Sequence, residues 1–161
     1  DVDDFDDYAY DESDGTEGDG GKRAGDASGA DGNALAHKHV LVAEDNALNA
    51  EVITAILNIH DATCEVAANG EEAVAKFGMS APGTFDMIFM DVQMPVMNGH
   101  DAARAIRAMD RPDAGTIPII AMTANAFAED ERQALACGMN AHVAKPIDVH
   151  ALERVVAKLS Q

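Results

Sequence analysis

Five short apolar runs alternating with five stretches of helical periodicity predict an α/β fold: a doubly wound, five-stranded parallel sheet with helices on both faces. Each run is rich in Val, Ile, Ala, Met or Phe and has the length of a strand buried on both sides. The intervening stretches place apolar residues at helical spacing and open on capping residues. No internal repeat interrupts the alternation, and right-handed crossovers reduce the possible topologies to a few.

Strand one is expected at 39–44, through Val40-Leu41-Val42-Ala43. Helix one follows over about 46–59, with Leu48, Val52, Ala55, Ile56 and Ile59 on its inward face. Strand two is expected at 63–67. Asn69 reads as the N-cap of helix two, with Glu72 three residues on as in a capping box. Ala73, Val74 and Phe77 face inward, and the helix ends near Gly78. After a loop at 80–84 comes strand three, 85–90. Helix three starts near Gly99, carries Ala102, Ala103, Ile106 and Met109, and stops before the Pro- and Gly-containing turn at 110–115. Strand four is expected at 117–122 and helix four at about 128–137, closed by Gly138. Strand five is expected at 141–144. Helix five, 148–159, has Asp148 as N-cap and Leu152, Val155, Val156 and Leu159 inward.

The formal charge of −18 over 161 residues is unevenly placed. Residues 1–36 hold 12 Asp/Glu against Lys22 and Arg23, with Phe5, Tyr8 and Tyr10 as their aromatics. Such a segment buries too little apolar surface to offset chain entropy and is expected to be a disordered acidic tail or linker. Residues 37–161 form the folded domain, with 17 acids against 9 bases. The negative balance argues against nucleic-acid binding, which needs basic stripes. No stretch has membrane-spanning length and no secretory signal is visible, so membrane contact is not expected either. Cys64 and Cys137 fit two reduced thiols in a cytoplasmic core better than a redox pair. The absence of an initial Met suggests a processed protein or a piece of a longer one, and no DNA-binding output domain is expected within the residues given.

Four strands end on polar residues: Glu44-Asp45, Asp91, Thr123 and Lys145-Pro146. Ligands bind an open parallel sheet outside the carboxyl ends of its strands, so these groups are expected on one rim. Three carboxylates, a hydroxyl and a lysine suit a divalent cation and a phosphoryl group. Singly, each has a plainer explanation: Glu44-Asp45 as acids at a helix N-terminus, Asp91 as a solvated strand end, Thr123 as a cap.

The stretches Val40-Leu41-Val42-Ala43-Glu44-Asp45-Asn46, Met90-Asp91-Val92-Gln93-Met94-Pro95-Val96-Met97-Asn98-Gly99, Ile117-Pro118-Ile119-Ile120-Ala121-Met122-Thr123-Ala124-Asn125 and Lys145-Pro146-Ile147 resemble the receiver domains of two-component response regulators. The resemblance covers residues 38–160. Asn46 with Asn49, Gln93-Met94-Pro95 and Gly138-Met139-Asn140 lean toward the receiver modules of hybrid sensor histidine kinases. It implies the flavodoxin-like strand order 2-1-3-4-5. It implies Asp91 as phosphoacceptor, taking the phosphoryl group of a phosphohistidine on a histidine kinase or a histidine phosphotransfer protein, with slow self-hydrolysis of the acyl phosphate. It implies Mg²⁺ held by Asp45, Asp91 and the backbone carbonyl of Gln93, with Glu44 acting through water. Lys145 and Thr123 would serve the phosphoryl oxygens. Ala124 would leave room for them, Gln93 and Asn125 would flank the site, and Lys145–Pro146 would be a cis bond.

One departure stands out. The residue three before the lysine is usually Tyr or Phe in this family and turns inward with the threonine; here it is His142. An imidazole can take part in that switch with a titration near neutrality, or His142 can pack half-exposed on strand five. The other histidines, His37, His39, His60, His100 and His150, have no metal-ligand spacing and no phosphorelay helix motif. Two rival functions are weaker. A haloacid-dehalogenase-like phosphatase needs a second Asp where Gln93 stands, and a cap insertion. A pseudo-receiver that only binds a partner normally lacks part of the set retained here.

Overall fold

The computed structural model describes residues 34–124 and 128–159. Its five parallel strands lie in the order β2-β1-β3-β4-β5. In chain order they are β1 His39–Ala43, β2 Thr63–Ala67, β3 Met87–Asp91, β4 Ile119–Thr123 and β5 Ala141–Ala144. The connecting helices are α1 Ala47–Ile59, α2 Gly70–Met79, α3 Gly99–Arg107 and α4 Ala128–Ala136, and α5 Val149–Leu159 follows β5.

Because strand side chains alternate faces, the three central strands feed two cores. Leu41, Ile88, Met90, Ile119 and Ala121 pack against Phe77 of α2 and Ala102, Ala103 and Ile106 of α3. Val40, Val42, Phe89, Ile120 and Met122 pack against Ile53 and Leu57 of α1 and Leu152, Val155 and Val156 of α5. Leu159 of α5 is only partly buried against that second core.

Helix starts follow from side-chain caps. Asn69 Oδ1 accepts from Glu72 N–H at 2.8 Å, and Glu72 Oε1 reaches back to Ala68 N–H at 2.9 Å. Asn46, Asn98 and Asp148 accept in the same way from Asn49, Asp101 and His150 N–H groups. Gly138 ends α4 with φ +103°, a left-handed conformation that favours glycine.

Some expected elements shift. β3 starts at Met87 rather than at residue 85 and includes Asp91. β4 starts at Ile119 rather than at 117, after Pro118, whose nitrogen has no proton for a ladder. The face predicted for α1 is corrected more deeply. Ala50, Ile53 and Leu57 are buried, whereas Leu48, Val52 and Ile59 are 67%, 46% and 75% exposed. The helix carries two apolar stripes, and periodicity does not say which one the sheet takes. Residues 1–33, nearly all of the acidic segment, lie outside the described residues. Leu35, within the stretch assigned to the tail, is fully buried in the core beneath α1 and α5. Its carbonyl accepts from Lys38 N–H at 3.1 Å, and His37 N–H donates to Asp61 O at 2.8 Å.

Two glycines fix the loop after β3. A Cβ on Gly99 would stand 2.3 Å from Asp91 O and 3.0 Å from Val92 Cα. A Cβ on Gly70 would stand 2.3 Å from Met97 O. The obstacles are backbone atoms, which do not rotate away. Gly99→Ala is therefore expected to destabilise by about 1–3 kcal/mol through overpacking. That exceeds the ~1 kcal/mol which alanine regains inside a helix. A urea midpoint at or above wild type would contradict the close approach.

Candidate functional site

The topology brings the polar strand ends together. Parallel pairing continues past the strands: Glu44 N–H donates to Ala67 O at 3.0 Å, Val92 N–H to Met122 O at 3.1 Å and Lys145 N–H to Thr123 O at 2.7 Å. The residues that follow the apolar runs are thus still held in register when they reach the rim. Carboxylate oxygens of Glu44, Asp45 and Asp91 lie within 4.8 Å of one another. They open into a pocket of about 270 Å³ that Gln93, Thr123, Ala124 and Lys145 also line.

Asp91 is 2% exposed. Its Oδ1 accepts from Gln93 N–H at 3.1 Å and its Oδ2 from Lys145 Nζ at 2.8 Å. Lys145 also pairs with Glu44 Oε1 at 3.2 Å. Glu44 is buried as well, and its Oε2 accepts from Asn46 N–H at 3.1 Å. Asp45 is exposed, and among the described residues it has no ion pair. The Lys145–Pro146 bond is cis, as the family resemblance implied.

Burial pushes the Asp91 carboxyl up to about 6, and the neighbouring Glu44 charge adds to the rise. The Lys145 hydrogen bond and charge pull the other way but do not cancel it. For Lys145, burial alone would lower the pKa; the hydrogen bond and charge of Asp91, together with Glu44, outweigh it and raise it. Lys145 therefore stays protonated, facing carboxylates that strain against one another. Three hard oxygen donors at this spacing suit a small divalent cation such as Mg²⁺.

Thr123 is buried at the end of β4, and Ala124 beside it is exposed. Asn125 lies outside the described residues. Pro146 does not line the pocket. His142 pairs in register with Ala121 and is 7% exposed, so it is buried rather than half-exposed on β5. It does not line the pocket. His100, the second residue of α3, does line it. Sequence reading set His100 aside for lack of metal-ligand spacing. No sequence signal marks it, because its placement follows from the backbone approach of Gly99 to Asp91.

The sequence profile of the response regulator receiver domain matches residues 40–157. The chain belongs to the response regulator receiver family and is a receiver domain of the two-component phosphorelay type. Hybrid signal transduction histidine kinase I of Dictyostelium discoideum is 35% identical over 127 residues, which cover 78% of this chain and 7% of the kinase. Probable histidine kinase 5 of Oryza sativa subsp. japonica is 34% identical over 155 residues, 85% of this chain and 13% of the kinase. The chain thus spans a small part of these relatives.

Among solved structures, the receiver domain of sensor histidine kinase PA1611 from Pseudomonas aeruginosa has a magnesium ion in its active-site cleft. It is 35% identical with a TM-score of 0.69, over 78% of this chain and all 100% of that one. A co-crystal structure of the Saccharomyces cerevisiae phosphotransfer protein Ypd1 with the receiver domain of Ssk1 matches at 31% identity and a TM-score of 0.67. It covers 77% of this chain and 89% of that one. Among the described residues, no helix is long and apolar enough to cross a membrane.

Proposed function

We propose that Asp91 is the phosphoacceptor of this domain. Its carboxylate attacks the phosphorus of a phosphohistidine. A P–O bond forms, the P–N bond breaks, and the electron pair leaves on the imidazole nitrogen. Phosphoryl transfer asks a protein mainly for positioning and charge neutralisation. The observation that carries the assignment is the enclosure of Asp91: Gln93 N–H holds one oxygen, Lys145 the other, and Glu44 and Asp45 stand within 4.8 Å. Lys145 neutralises charge on the incoming phosphoryl oxygens, Thr123 supplies a hydroxyl donor, and the small Ala124 leaves the mouth open.

Asp45, Asp91 and the Gln93 carbonyl are the direct ligands we assign to Mg²⁺. Glu44, turned toward Lys145, acts through water. Bound there, Mg²⁺ would offset the carboxylate charge and favour ionised Asp91. Asn125 flanks the phosphoryl group in this reading, and His142 accompanies Thr123 in the switch. The thiols of Cys64 and Cys137, both unbridged, suit a cytoplasmic setting. Incubation with acetyl phosphate and Mg²⁺, followed by mass spectrometry, is expected to place one phosphate on Asp91. Stable label on a histidine or serine would overturn the assignment.

The donor is a histidine kinase or a histidine phosphotransfer protein, and it must approach over the strand-end rim beside α1. Ala47, Leu48, Glu51 and Val52 of α1 are exposed. An apolar patch ringed by polar groups suits a transient interface. Leu48→Glu is expected to slow transfer from such a protein by about 10-fold, corresponding to ~1.4 kcal/mol. Labelling by acetyl phosphate should stay as in wild type. Amide shifts confined to α4 and α5 on adding the partner would rule this face out.

A further inference from the structure

We infer that Val96, exposed on a strained turn between β3 and α3, is a contact residue for the protein that delivers the phosphohistidine. The inference rests on Asp91 being the acceptor. Val96 has φ +68°, and Met97 N–H donates to Pro95 O across it at 2.7 Å. A hydrogen bond that spans a single residue at positive φ makes a γ-turn of the rare, strained kind. Valine suits it poorly, because a β-branched side chain crowds the left-handed region. Glycine makes the same turn without that crowding.

The loop on either side holds the turn in place. Gly99 N–H donates to Val92 O at 2.9 Å, and Gly70 N–H to Met97 O at 3.0 Å. Met94 and Met97 pack against the core, whereas Val96 belongs to neither core and is 73% exposed. Burial within the domain therefore does not offset its strain. Backbone strain of this kind persists at sites where a functional contact uses it.

The position fits a protein donor. Gln93 lines the acceptor pocket, and three residues of chain span at most about 11 Å, so Val96 stands within that distance of the pocket wall. A circular interface of about 800 Å² on one partner has a radius of roughly 16 Å. A protein that seats its phosphohistidine over Asp91 thus reaches Val96. A small phosphodonor enters the pocket without covering the loop.

The test compares two donors on the full chain with Mg²⁺: phosphorylated Ypd1, and acetyl phosphate. Val96→Gly and Val96→Ala are each expected to lower the ratio of the Ypd1 rate to the acetyl phosphate rate about 3- to 10-fold, the effect of one partly buried apolar side chain. Val96→Gly should also have the higher urea midpoint of the two, since alanine keeps a Cβ at positive φ. Wild-type ratios in both variants, or an alanine variant as stable as the glycine one, would overturn the inference. So would a wild-type chain that acetyl phosphate labels and Ypd1 does not. Failure of acetyl phosphate to label Asp91 would remove the acceptor reading itself.

Discussion

Asp91→Asn is expected to abolish phosphate incorporation and, in the metal-free protein, to raise stability at neutral pH. The first effect follows because a neutral amide is no nucleophile toward phosphorus. The second follows from linkage. The Asp91 carboxyl is raised from 3.8 to about 6 by burial and by Glu44. A raised pKa means that the native state holds a proton which the unfolded state has released. Its contribution to stability is complete below the unfolded value and is lost as pH rises through the folded one. The loss therefore falls between 3.8 and about 6. A shift of that size corresponds to at most ~3 kcal/mol. Asparagine does not titrate, and Lys145 keeps its pairing with Glu44 at 3.2 Å. Urea unfolding at pH 4.5 and 7.5 should show wild type weakening relative to the variant as pH rises. Parallel behaviour of the two proteins would mean that Asp91 is not strained.

The rim was legible because strand pairing is a ruler. Once Leu41, Ile88 and Ile119 are recognised as central strand residues, Glu44, Asp91 and Thr123 must emerge on one side of the sheet. Lys145 follows from β5 by the same register. The inward face of α1 was not legible, because Leu48-Val52-Ala55-Ile59 and Ala50-Ile53-Leu57 both repeat at helical spacing. The sheet buries the second stripe, and the first stays exposed on the face assigned to the partner. Leu35 was hidden by its company: an acidic, Gly-rich stretch gives no periodicity from which to single out one buried leucine. His100 was hidden because its placement depends on a backbone contact at Gly99, which residue chemistry alone does not reveal.

That same geometry separates the two acids at the end of β1. Mg²⁺ is expected to raise the unfolding midpoint of wild type by mass action, and Asp45→Ala to remove most of that response. Asp45 is exposed and outside the Lys145 ion pairs, so its carboxylate exchanges only water for the cation. Glu44 has a fully buried side chain already engaged by Lys145 Nζ at 3.2 Å and by Asn46 N–H at 3.1 Å. A cation recruiting Glu44 directly would have to break that pairing inside the protein, where an uncompensated charge is expensive. Glu44→Ala should therefore weaken Mg²⁺ by less than about 3-fold, and Asp45→Ala by about 10-fold or more, the factor that ~1.4 kcal/mol represents. Without metal the order reverses. Glu44→Ala strips Lys145 of one of two partners and should lower stability, whereas Asp45→Ala relieves repulsion among the carboxylates and should raise it. Thermal unfolding across a Mg²⁺ titration reads both quantities from one data set. Equal affinity losses in the two variants would refute the ligand ranking, and a metal-free Asp45→Ala protein less stable than wild type would refute the strain.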